Sequence, residues 1–119
     1  MSIERRRHPR IDSINLLAYT SYEYEEGGRI ASQGMGRTLN VSESGILLET
    51  HEALGKGLLC LTLALEEDLV DLKGKVVRST HAEDGSFSSG IEFVNLGERE
   101  TEALKQYIAA FKASRPGQQ

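Results

Sequence analysis

Six short apolar runs, most of them bounded by glycine or polar turn residues, precede a single stretch with helical spacing, and this order restricts the chain to a small β body with one helix against it. Ile14 to Tyr22 carries Leu16, Leu17, Tyr19 and Tyr22, then gives way to Glu23-Tyr24-Glu25-Glu26-Gly27-Gly28, which reads as a turn. Arg29 to Val41 is a second, more polar run with Gly34, Gly36 and Thr38 inside it, and Ile46, Leu47 and Leu48 predict a third strand. Leu58 to Leu65 is leucine-rich and could be helical by propensity. Gly55 and Gly57 on one side and Glu66-Glu67-Asp68 on the other confine it to strand length. Leu72 to Thr80 and Phe87 to Val94 flank Glu83-Asp84-Gly85-Ser86, whose Asp-Gly centre suits a hairpin. From Glu98 to about Ala113, Leu104, Tyr107, Ile108 and Phe111 share one helical face. Glu98, Glu100 and Glu102 near its start and Lys105 and Lys112 later match the helix dipole. Closing six strands on themselves removes exposed edges. The expected fold is therefore mostly β: a six-stranded antiparallel barrel whose helix covers one opening or flank.

Composition narrows the function classes. A chain of 119 residues is one ordinary domain with a core of its own. The single cysteine, Cys60, cannot form an internal disulfide, which fits a reducing compartment. No apolar run reaches the roughly 18 to 20 residues needed to span a bilayer, and the charged N-terminus lacks the apolar segment of a signal peptide. The expectation is a cytoplasmic protein with no membrane insertion. The net charge of -4 opposes a surface built for DNA or RNA, and few aromatics are present to stack bases.

Two motifs carry the chemistry. Arg5, Arg6, Arg7 and Arg10 crowd the N-terminal arm together with His8. Guanidinium forks bind phosphate oxygens, or the O6 and N7 edge of guanine, in bidentate fashion. Pro9 fixes its own φ and biases His8 toward an extended backbone, so the arm presents its arginines with some stiffness. Thirty residues after Arg10 comes Asn40-Val41-Ser42-Glu43-Ser44-Gly45. Asn40 offers an amide that accepts from guanine N1 or N2 and donates through its nitrogen, Ser42 a rotatable hydroxyl, and Gly45 either a positive φ or room for close approach. Asn, Ser and Gly are also the residues any strand-to-strand turn uses.

Arg6-x-x-x-Arg10 followed by Asn40-x-Ser42-x-x-Gly45 resembles the PilZ family of bacterial cyclic di-GMP receptors. Gly74 to Arg78 and Gly90-Ile91-Glu92-Phe93 are similar to the family as well. Only Arg6 has an arginine four residues on, which fixes the registration. Several members carry Asp where Asn40 stands, so the charge-assisted bond is lost here while the acceptor is kept. The resemblance implies an arm, residues 1–12, that folds over cyclic di-GMP, a barrel and helix over 13–113, and a frayed tail over 114–119. It implies Arg6, Arg10, Asn40, Ser42 and Gly45 as ligand-binding residues. Arg5, which the family associates with a stacked pair of ligands, Arg7 and Arg78 are further candidates. The ligand takes the place of any cofactor, a downstream protein receives the signal, and a monomer is expected. The alternative is a family adaptor that contacts proteins without binding nucleotide.

Other residues support no chemistry of their own. His8, His51 and His81 lack metal-ligand spacing, and Ser42 and Ser44 have no evident base. Gly34-x-Gly36 lacks the third glycine of a dinucleotide fingerprint. No enzymatic activity is expected.

Overall fold

The computed structural model describes residues 16–22, 29–65 and 68–114. Its strands are β1 (Leu16–Tyr22), β2 (Ile30–Val41), β3 (Gly45–Thr50), β4 (Leu58–Leu65), β5 (Asp68–His81) and β6 (Phe87–Phe93), followed by the helix α1 (Glu98–Ala113). All pairings are antiparallel and close into a barrel in the order β1-β2-β3-β6-β5-β4. The leucine-rich segment is a strand. Leu59, Leu61 and Leu63 point inward and are at most 1 % exposed, and a helix could not place residues of period two on one face. β5 starts four residues earlier than the apolar run suggests. Val70 and Leu72 alternate inward with Asp71 between them, and Asp68 pairs with Leu65, so the strand extends through residues whose outward faces are acidic. The expected N-terminal arm and most of the expected tail lie outside the described residues.

The core is aliphatic, with Leu17, Leu48, Leu61, Leu72 and Ile91 meeting from five of the strands. The helix adds Ala103, Leu104, Tyr107 and Phe111 to it. Two features fix where the helix starts. Asn95 takes a left-handed backbone with φ of 53° to turn out of β6, and Glu98 and Glu100 occupy the first helical turn, where the dipole favours negative charge.

Tyr107 reaches past the strands nearest the helix, and its hydroxyl shares a 2.8 Å hydrogen bond with the inward-facing hydroxyl of Thr38 on β2. A helix residue bonded to an inward residue of a non-adjacent strand places α1 over an opening of the barrel. Both partners are buried, so Tyr107→Phe leaves the Thr38 hydroxyl without this partner, at a cost of about 1–3 kcal/mol. Burial pushes the Tyr107 phenol above its ordinary value, and the Thr38 bond offsets part of that. The unfolded chain therefore ionises first: the stabilisation is complete below about pH 10 and is lost as pH rises past it. Denaturant titrations should show Tyr107→Phe less stable than wild type at neutral pH and less sensitive to alkali above about pH 10. Equal alkaline slopes would remove Tyr107 from this account.

Candidate functional site

The outer wall of the barrel carries a groove of about 330 Å³ across β2, β3, β6 and β5. Its organisation follows from register. Asn40 lies opposite Leu47, Leu47 opposite Gly90, and Gly90 opposite Arg78, so four residues from four strands form one continuous cross-strand row. With strands about 4.8 Å apart, that row is about 14 Å long. Gly90 carries no side chain, and the Arg78 chain lies across it: a Cβ at Gly90 would stand 3.3 Å from Arg78 Cγ and 3.4 Å from its Nε.

Two β-bulges set this row on the outside. The β2–β3 register skips Leu39 between Thr38 and Asn40, and the β5–β6 register skips Val77 between Val76 and Arg78. Thr38 and Val76 face the core, and uninterrupted alternation would send Asn40 and Arg78 there too. Each bulge inserts one residue and returns the next to the solvent side. Asn40 and Arg78 are consequently exposed at opposite ends of the same row.

The β2–β3 connection supplies the other edge. Ser42 N–H donates to the Gly45 carbonyl at 2.9 Å, and Ser42 Oγ lies 3.1 Å from Ser44 Oγ while accepting from Ser44 N–H at 3.3 Å. These bonds hold a tight turn with the Ser42 hydroxyl on the solvent side. Asn40 Oδ1 accepts from Val41 N–H at 2.9 Å, so the amide oxygen is turned to the backbone and Nδ2 is the outward end. Gly45 does not adopt a positive φ. Its reason is packing: a Cβ there would sit 2.5 Å from the Ile91 carbonyl oxygen.

Of the residues the sequence nominates, the fold brings Asn40, Ser42, Gly45 and Arg78 to one groove. Arg5, Arg6, Arg7 and Arg10 lie outside the described residues. Glu92, Leu47 and Gly90 line the groove without having been nominated as ligand contacts. Gly90 and Glu92 fall in a stretch whose likeness to the family is legible, but their places opposite Leu47 and Gly45 require the register. Among the described lining residues Arg78 is the one cation and Glu92 the one anion, which leaves the groove near neutral. The adjacent Arg37 is engaged elsewhere, with Nε and Nη2 each 2.9 Å from Glu49 Oε1. Among the described residues no group of three His, Cys, Asp or Glu side chains could hold a metal ion.

A closed six-stranded antiparallel barrel, with a helix packed against it and a polar groove on its outer wall, defines a small β-barrel domain. The chain belongs to the PilZ domain family, whose sequence model matches residues 4–110. Solved structures share the fold. The PilZ domain of CeSA from a cellulose-synthesizing bacterium has a TM-score of 0.57 at 11 % identity, covering 82 % of this chain and 91 % of that one. The Bacillus subtilis inhibitor of motility MotI/DgrA has a TM-score of 0.58 at 17 % identity over 84 % of this chain and 48 % of that one. The PilZ domain of YcgR from Escherichia coli, solved with c-di-GMP, has a TM-score of 0.55 at 11 % identity and covers 82 % of each chain. No curated protein matches the sequence. Among the described residues, no helix is long and apolar enough to cross a membrane.

Proposed function

We propose that this chain is a cyclic di-GMP receptor in which the arginine arm closes over the groove between β2 and β5. The observation that carries the reading is the convergence of Asn40, Ser42, Gly45 and Arg78, distant in sequence, on one outward groove. The ligand has two phosphates and two guanines. Arg78 is the one cation among the described lining residues and Glu92 offsets it, so two phosphates call for further cations, and the densest cluster in the sequence is Arg5, Arg6, Arg7 and Arg10. Guanidinium groups serve both needs, pairing with phosphate and stacking on base faces. Ordering the arm on binding changes the surface presented to a downstream protein, and the module acts by that change without a catalytic step or a cofactor. We assign it to the cytoplasm as a monomer.

Calorimetric titration with cyclic di-GMP, against GTP and cyclic di-AMP, tests the reading. Wild type should bind the cyclic guanine dinucleotide selectively. The Arg6→Ala, Arg10→Ala variant should bind at least about tenfold more weakly, since charge-assisted bonds contribute about 1.5–3 kcal/mol each. The stoichiometry bears on Arg5: two ligands per chain fit its placement beside the pair, and saturation at one removes that role. A wild-type chain that binds no nucleotide leaves a protein-contacting adaptor as the reading.

A further inference from the structure

A carboxylate in a groove meant for a dianionic ligand calls for a reason, because it repels phosphate. Glu92 is that carboxylate. It lies on β6 between Gly45 of β3, which has no side chain to cover it, and Lys75 of β5, its cross-strand partner on the other flank, and it is exposed. Arg78 pairs with Gly90, two residues before Glu92 on the same strand, so Arg78 and Glu92 are diagonal neighbours about 7–8 Å apart along the wall. Among the described residues neither has an ion-pair partner.

The polar groups of the groove thus divide by sign. Arg78 and the outward Nδ2 of Asn40 donate; the Asn40 oxygen is already engaged by Val41 N–H. Glu92 supplies two further acceptor oxygens. Guanine divides in the same way: O6 and N7 accept on one edge, and N1–H and the N2 amino group donate on the other. Two parallel N–H groups facing two carboxylate oxygens make a bidentate, charge-assisted contact. Adenine turns an unprotonated N1 to that position and would meet the carboxylate lone pair to lone pair.

Resting on the receptor reading above, we propose that Glu92 is a specificity-determining residue whose carboxylate accepts from N1–H and the N2 amino group of a bound guanine, with Arg78 donating to the base's acceptor edge. The acid lowers affinity for phosphate in general and returns selectivity for guanine.

The test compares cyclic di-GMP with cyclic di-IMP, which lacks the N2 amino group, on wild type and Glu92→Gln. Wild type should prefer cyclic di-GMP by roughly tenfold or more, the range of one good bidentate base contact. In Glu92→Gln the amide NH2 confronts one of the guanine donors, while its oxygen still accepts from the lone N1–H of inosine. The preference should therefore collapse to within about threefold through weaker cyclic di-GMP binding, with an unchanged melting temperature confirming the fold. Glu92→Gln that binds both ligands equally tighter than wild type, or loses both equally, overturns the assignment while leaving the receptor intact. Wild type that binds neither removes the receptor reading and this one together.

Discussion

Leu48→Ala should lower the free energy of unfolding by about 2–5 kcal/mol in urea denaturation, with an unchanged slope. Leu48 is fully buried at the centre of β3 and faces Gly36 across the barrel wall. The contact is close enough that a Cβ at Gly36 would lie 2.7 Å from Leu48 Cγ and 2.8 Å from Cδ2. Gly36→Ala alone should then overpack the site and cost about 1–3 kcal/mol. Combined, the new methyl enters the volume the leucine vacates. The double variant should be more stable than the sum of the single losses by about 0.5–3 kcal/mol. Strict additivity would mean that Gly36 is required for something other than the Leu48 side chain.

Gly45→Ala is the second large effect, and it bears on how the motif is understood. Its Cβ would meet a backbone carbonyl, that of Ile91, at 2.5 Å, and a carbonyl in a β ladder cannot rotate aside as a side chain does. Relief requires parting β3 from β6 at the position where Gly45 pairs with Glu92. The expected loss is about 3 kcal/mol, at the upper end for overpacking. Gly55→Ala, which adds a methyl group into open space, is the control and should be near neutral. Equal stability of the two variants would refute the packing explanation. If the loss is seen, failure of a Gly45 variant to bind ligand is no evidence that Gly45 touches ligand.

Much of the fold was legible because its signals are local. The helix runs from Glu98 to Ala113 as its spacing indicated, since apolar residues at period 3.6 and a charge gradient leave one solution. The strands were legible as apolar runs, but their ends were not where acidic residues such as Asp68 and Asp71 occupy outward positions. Asn40, Ser42 and Gly45 could be grouped from sequence because one turn holds them. Arg78 and Glu92 could not be joined to them with the same force. Their neighbourhood depends on which strand lies beside which, and the bulges at Leu39 and Val77 break the alternation from which a side chain's facing is read. Simple parity would have buried Asn40 and Arg78 in an aliphatic core. The part of the wall where the periodic rule fails is the part that carries the groove, and irregular strands concentrate at binding sites for this reason.

Closure of the barrel has a consequence for how such a module changes its preferences over time. With every strand among the described residues paired on both sides, no free sheet edge remains, and the outer wall presents chiefly side chains. The residues that keep the molecule folded point the other way. Asn40, Leu47 and Arg78 can therefore be replaced with little debt to the interior, and on the receptor reading ligand preference drifts while the scaffold stands still. Domains of this architecture can share a shape and retain little else in common.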